Sequence, residues 1–257
     1  MFIPLHDANS LKHIRLQFVT FGLIIANVVV FFLNQTGASD QVTFAQIALS
    51  FIPSEFEGGP QIYDTGLAVP ESVTLFSYAF FHGDLFHLGG NMLFLWVFGD
   101  NVEDAMGHFK FLVFYLLCAA GGAIVHNLAS QGSEIPLIGA SGAIAGVLSA
   151  YLILHPKVKI WVLAFARIPL RIPAWIALAL WIGIQIFMLF TAPEDQVSWG
   201  AHVGGIIAGL VLVFVFKRRG VPLFDSEIVL PKAVQTLAPG ETRTSVPVTR
   251  WGRSKDQ

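Results

Sequence analysis

The stretch Gly200-Ala201-His202-Val203-Gly204-Gly205-Ile206-Ile207-Ala208-Gly209 opens an apolar run that continues without a charge to Phe216. With Ser198 and Trp199 it fills a window of the length a membrane helix needs, about 20 residues to cross roughly 30 Å of hydrocarbon. Yet it carries an imidazole. A polar group in hydrocarbon costs on the order of several kcal/mol unless it finds a partner, so an intramembrane histidine is a functional candidate by default. A second segment offers that partner. Ile138-Gly139-Ala140-Ser141-Gly142 opens the apolar run that ends at His155, and a serine facing a histidine pairs a nucleophile with its base.

Composition supports a membrane protein. Hydrophobic residues make up 54% of the 257 residues and charged residues 12%, where soluble domains carry about 25% charged residues. The formal net charge of −2 and the lack of a basic stripe give no sign of a nucleic-acid partner. Cys118 is the sole cysteine, so an internal disulfide is excluded. Six windows have the length and apolarity of spans: residues 15–33, 85–106, 109–129, 139–155, 173–191 and 198–216. The first is longer than the apolar core of a signal peptide, about 7 to 15 residues, and is expected to span.

Charge placement sets the orientation. All 15 Lys and Arg residues fall before or at the first window, between the second and third, between the fourth and fifth, or after the sixth. The connections 34–84, 130–138 and 192–197 hold none, but they contain Glu55, Glu57, Asp64, Glu71 and Glu134 among other acids. The positive-inside rule then gives six spans with both termini cytoplasmic. In that topology Ser141 and His202 both lie within about 10 Å of the outer end of their helices, at 1.5 Å rise per residue. His87 and Asn91 on the second span share this depth.

Gly142 with Gly146, and Gly205 with Gly209, are small-xxx-small pairs that let helix backbones approach. The long first outer connection ends in Leu75-Phe76-Ser77-Tyr78-Ala79-Phe80-Phe81 and is expected to lie on or partly in the interface. Residues 156–172 mix Lys157, Lys159, Arg167 and Arg171 with Trp161 and Phe165, as an interfacial segment would. The chain divides into a six-span unit over 1–217 and a polar, proline-containing tail over 218–257, expected to be a mobile cytoplasmic extension. With no transit-type leader before Leu16, a plasma or bacterial inner membrane is the expected location.

A serine hydroxyl needs a base to take its proton, and His202 can serve when neutral. Neither the fourth nor the sixth window holds an acid to orient it, so a dyad without a carboxylate is expected. Asp84 is expected to be a solvated loop charge. Acyl transfer also needs donors for the developing oxyanion. Unpaired backbone N–H groups at a helix start can supply some, and Asn91 and His87, one turn apart, can add side-chain donors. His82 is expected to support loop packing or hydration. His126 and His155 sit near window ends, where interfacial snorkelling is the ordinary explanation. His6, His13 and His108 carry no signal.

Gly139-Ala140-Ser141-Gly142 resembles the Gly-x-Ser-Gly motif of the rhomboid intramembrane serine proteases. His82-x4-His87-x3-Asn91 resembles their second-span motif, and Ala201-His202-x2-Gly205 their last-span motif. Glu103 matches the family's acidic residue at the inner end of the second span, and the likeness covers residues 72–216. The resemblance implies an all-α membrane protein with a six-transmembrane-helix rhomboid-type bundle, acting without metal or cofactor. It implies hydrolysis of peptide bonds in or near the transmembrane segments of membrane proteins in the lipid bilayer. By that likeness Ser141 is the nucleophile, His202 the general base, and His87, Asn91 and the Gly139–Ser141 backbone form the oxyanion hole, supported by His82. The fifth span and the first outer loop would gate substrate entry.

Two positions depart from the family pattern. Its Trp-Arg pair aligns with Val73-Thr74, and the aromatic residue that many members place one turn after the serine is Ala145. Alternatives to a protease are an inactive rhomboid-like client binder, a hydrolase acting on lipid, and a six-span transporter. The last would need polar residues along the inner halves of the fourth and sixth windows, where Leu148, Leu152, Leu210 and Leu212 stand instead.

Overall fold

A computed structural model describes residues 2–36, 40–67, 69–164, 167–192 and 197–224. Six main helices occupy the six expected windows: α1 (Phe18–Thr36), α5 (Leu85–Met106), α6 (His108–Ala129), α7 (Ser141–Leu154), α8 (Ala174–Thr191) and α9 (Trp199–Phe216). Among the described residues, α6, α8 and α9 are long and apolar enough to cross a membrane; the stretch Phe18–Asn34 of α1 and the whole of α7 are apolar but shorter. The 14 residues of α7 reach only about 21 Å at 1.5 Å per residue, less than the hydrocarbon thickness of roughly 30 Å.

The chain is not wholly helical. β1 (Phe2–Asp7) pairs antiparallel with β2 (Lys159–Ala164), which pairs antiparallel with β3 (Ile168–Pro173). The segment expected to be a loose interfacial stretch thus forms a hairpin that captures the N-terminus. The loop before α5 also differs from expectation. It folds into α2 (Asp40–Leu49), α3 (Pro53–Phe56), α4 (Glu71–Ser77) and a short 3-10 turn at Tyr78–Phe80. Phe51, Tyr78 and Ala79 are fully buried, so these residues of the segment pack into the bundle. A bridge between Phe51 and Leu137 ties it to the loop before α7.

The helices pack on glycine. A Cβ on Gly205 would overlap the Gly142 carbonyl oxygen, and one on Gly209 would overlap the Gly146 carbonyl oxygen, so α7 and α9 meet backbone to backbone. On the other face of α9, a Cβ on Gly204 would overlap the Gly121 carbonyl oxygen of α6. The sixth helix is therefore clasped between α6 and α7 along its small face, as close approach by small residues allows.

Polar anchors hold the end of the bundle where α5 gives way to α6. Buried Glu103 accepts from the Val19 and Thr20 amides at 3.0 and 2.8 Å and from the Thr20 hydroxyl at 2.7 Å, capping α1. Asp104 accepts from the His13 and Ile14 amides at 2.6 and 2.7 Å. His13 and His108, which carried no sequence signal, lie against Asp104 and Glu103 at 3.0 and 2.5 Å. Asp7 accepts from the Tyr151 hydroxyl at 2.7 Å and from Asn101 Nδ2 at 2.8 Å, joining β1 to α7 and α5. The chain after α9 stays attached for several residues: the Arg218 amide donates to Ala105 O and the Phe224 amide to Ile153 O, both at 2.8 Å. Residues 218–224 are thus part of the folded unit. The rest of the expected tail, 225–257, lies outside the described residues.

Candidate active site

Ser141 is the first residue of α7, and the loop before it is shaped by one glycine. Gly139 has φ +125°, a conformation that side-chain-bearing residues rarely adopt. A Cβ there would stand 2.7 Å from His87 Nε2 and 3.8 Å from Ser141 Oγ. The His87 ring and the Ser141 hydroxyl therefore border the same small space over Gly139. The Gly139 amide donates to the Tyr78 carbonyl at 3.0 Å.

His87 is placed by the start of α5. Asp84 is exposed, as expected of a solvated charge, and is also the N-cap of α5, accepting from the His87 and Phe86 amides at 2.9 and 2.7 Å. These bonds, the His87 one first, hold its carboxyl below the ordinary aspartate range. His82 lies beneath, fully buried, with its ring edge-on to His87 at 5.0 Å. The Ala140 amide points at its Nε2 at 3.5 Å. Burial, aided by neighbouring His87, pushes the His82 imidazole down to about 3, so it stays neutral and accepts rather than donates at that nitrogen. Asn91 is buried one turn below His87, and its Nδ2 donor has no protein partner.

His202 enters from α9. Gly142, beside the serine, would bring a Cβ to 3.1 Å from the carbonyl oxygen of Ala201, beside the histidine. The residues flanking Ser141 and His202 are thus in direct contact. The Tyr78 hydroxyl sits at the same junction, 3.0 Å from where that Cβ would lie, and donates to Ala119 O at 2.8 Å. Among the described residues no hydrogen bond joins Ser141 to His202. The imidazole is held instead through Nδ1, 2.8 Å from Gln185 Oε1 of α8. Its ring lies between Trp181 and Trp199, with centroids at 6.0 and 5.9 Å.

The structure thus gathers Ser141, Gly139, His82 and His87 around one junction, with the backbone of Gly142 against that of Ala201 and Asn91 on the same helix as His87. The Rhomboid domain profile matches residues 70–219, more than half of the chain and all of these positions. The chain belongs to the rhomboid family. It is similar to Rhomboid protein 1, mitochondrial, of Saccharomyces cerevisiae, 31% identical over 152 residues, 56% of this chain and 41% of that protein. RHOMBOID-like protein 12, mitochondrial, of Arabidopsis thaliana is 29% identical over 218 residues, covering 78% of this chain and 59% of that protein. Inactive rhomboid-related protein 2 of Caenorhabditis elegans is 26% identical over 155 residues, 60% of this chain and 43% of that protein. The rhomboid chain spans well under two thirds of each of these relatives. It is a membrane protein, and since two of these relatives are named as mitochondrial, the similarity does not favour the bacterial inner membrane expected from sequence.

The two rhomboid departures have structural replacements. Thr74 is buried in α4 and donates to Glu71 O at 2.8 Å, while Ser77 anchors the loop by donating to Leu49 O at 2.6 Å. Ala145 is fully buried, and the aromatic packing on His202 comes from Trp181 and Trp199. His126 is no snorkelling residue: its Nδ1 takes the Ser198 hydroxyl at 2.8 Å, and Ser198 in turn caps α9. His155 is buried against Tyr151 at 5.3 Å. Gln185, Tyr78 and the two tryptophans were not singled out from sequence, because none belongs to a local motif.

Proposed function

We propose that this rhomboid is an intramembrane serine protease that cleaves peptide bonds in or near the transmembrane segments of membrane proteins. The observation that supports this reading is the contact of Gly142 with Ala201, the residues next to Ser141 and His202, at the start of a short helix. The shortness of α7 matters, because a helix about 21 Å long that begins at Ser141 leaves its start below the outer surface. Six crossings with both termini on the basic, inner side complete the topology. The protease unit occupies residues 1–217, with the attached segment to Phe224.

Ser141 Oγ attacks the scissile carbonyl carbon as His202 Nε2 takes its proton, and the carbonyl oxygen becomes an oxyanion. The amides at the start of α7, His87 and the free Asn91 amide donate to that oxygen. The tetrahedral species collapses, His202 passes its proton to the leaving amine, and an acyl-serine remains. A water molecule, deprotonated by His202, attacks the ester; the carboxylic product departs and Ser141 regains its proton.

One observation favours an inactive client binder: Ser141 and His202 share no hydrogen bond in the resting protein. Catalytic hydrogen bonds are often long in unliganded enzymes and tighten on substrate binding, so this geometry is compatible with catalysis. Labelling with a fluorophosphonate and incubation with a panel of single-pass proteins separate the two. The wild type is expected to label and to cut, with the site mapped by mass spectrometry; Ser141→Ala is expected to do neither. No labelling and no cleavage by the wild type would refute the protease assignment, and labelling with turnover of lipid esters alone would indicate a lipid hydrolase.

A further inference from the structure

We propose that Gln185, in the fifth main helix, is the positioning residue of His202, taking the place that a carboxylate fills in a serine triad. This rests on the protease assignment above. In α8 the buried residues are Ala174, Ala177, Leu178 and then, alone in the outer half, Gln185. The residues around it, Ile184, Ile186 and Phe187, are exposed and face outward. A helix whose outer half buries one side chain, and that one an amide, needs a polar reason for doing so, because a buried amide without a partner is costly. The reason is His202 Nδ1, at 2.8 Å.

The orientation of the amide is fixed by its other end. Gln185 Nε2 donates to the Trp181 carbonyl at 2.9 Å, four residues back on the same helix. Exchanging nitrogen and oxygen would set the side-chain oxygen against the Trp181 carbonyl oxygen and lose that bond. Oε1 must therefore face the imidazole, and it can only accept. Nδ1 then carries the hydrogen, which leaves Nε2 with its lone pair free for the Ser141 proton. The tautomer of a histidine is set by the bond its other nitrogen makes, and here a neutral amide sets it.

Among the described residues nothing else near His202 plays this part. α7, α8 and α9 contain no carboxylate. On α6 the facing titratable group is His126, already bonded to Ser198. On α5 it is His87, over Gly139, with Asp84 engaged as the helix cap. Trp181 and Trp199 restrict the ring by packing but offer Nδ1 no acceptor. Gln185 therefore orients the base without placing a negative charge beside it, and it makes the position of α8 a condition of a correctly aimed imidazole.

The test uses the full chain in liposomes with a cleavable single-span substrate and two variants, Gln185→Met and Gln185→Glu. Methionine keeps length and volume but cannot accept. Its kcat is expected to fall at least about tenfold with KM within twofold, part of the roughly 10²–10⁴-fold that a positioned general base supplies. Glutamate restores an acceptor and adds charge, so it is expected to recover rate relative to methionine and to move the acidic limb of the kcat/KM profile to higher pH. A merely structural amide would leave that limb unmoved. Wild-type rates in the methionine variant, or a glutamate variant no better than methionine with an unmoved limb, would overturn the assignment. Should methionine prevent folding, the glutamate profile alone decides. Fluorophosphonate labelling of the wild type keeps the two ideas apart: without it the protease assignment fails and this one falls with it, whereas labelling with indifferent Gln185 variants sinks only the role of Gln185.

Discussion

Gly205→Ala places one methyl group at the tightest point of the bundle, one turn below His202. The new carbon would fall on the Gly142 carbonyl oxygen, far inside the 3.0 Å that real Cβ atoms respect. That oxygen belongs to helix backbone and cannot swing aside as a side chain can, so α7 and α9 must separate by on the order of 1 Å. Misplacing reacting groups by about 1 Å can cost 10²-fold in rate, and overpacking costs about 1–3 kcal/mol of stability. Because Gly142 follows Ser141, the displacement reaches the nucleophile before anything else. Cleavage of a fluorogenic single-span substrate in liposomes is expected to drop about a hundredfold, with a lowered unfolding temperature. Gly183→Ala on α8, where nothing lies within 4 Å of the new carbon, is the matched control and should be neutral. If Gly205→Ala kept activity within twofold of the wild type, the claim that backbone contact between α7 and α9 aligns the dyad would be wrong.

Asn91→Ala removes a buried donor that has no protein partner, so it should lower kcat by about 10²–10³-fold with little change in KM or unfolding temperature. A loss confined to KM would speak against an oxyanion role. Asp7→Asn tests the inner anchor. Burial, opposed by the Tyr151 hydroxyl, raises the Asp7 carboxyl from 3.8 to about 6. The folded protein then holds a proton that the unfolded chain has released, so stability is greatest below about pH 4 and declines as pH rises through 6. The decline is at most about 3 kcal/mol, at 1.36 kcal/mol per pH unit. The asparagine variant should flatten this dependence in thermal unfolding from pH 4 to 8; parallel curves would refute it.

The positions of all six main helices were legible because each is a long apolar run bounded by polar or glycine-rich connections, a signal contained within the segment itself. Ser141, His202, His87 and Asn91 were legible for a related reason, since a polar residue in such a run demands a partner. What remained hidden depends on residues far apart in the chain. β1 is six residues long and pairs with a strand more than 150 positions away, so its period-two pattern is too short to stand out without its partner. Glu103 and Asp104 cap backbone 83 to 92 positions upstream. Gln185 sits in an otherwise apolar helix, and nothing within that helix points to His202. The aromatic loop was read as interfacial because its composition is the same whether phenylalanines face lipid or core; Phe51 is fully buried all the same.

The two ends of the bundle are built on different principles, and the difference bears on how a site can exist there. At the inner end, Glu103, Asp104 and Asp7 each accept two or more hydrogen bonds, tying residues 7–20 to α5 and α7. These carboxylates are satisfied and hold that end rigidly, although Arg218 Nε beside them is buried without a partner. At the outer end the helices are held by glycine backbone contact, which consumes no donors. There Asn91 Nδ2 and His82 Nδ1 are buried without partners, on either side of His87. Unpaired buried donors are uncommon in proteins and call for an explanation. A substrate carbonyl oxygen that gains negative charge is the acceptor suited to Asn91, and it costs least to desolvate where the protein has left a donor waiting. The same oxygen at the inner end would have to displace a carboxylate from its backbone amides. Under the proposed protease reading, Asn91 Nδ2 is the unspent donor beside His87 that such an oxygen would meet.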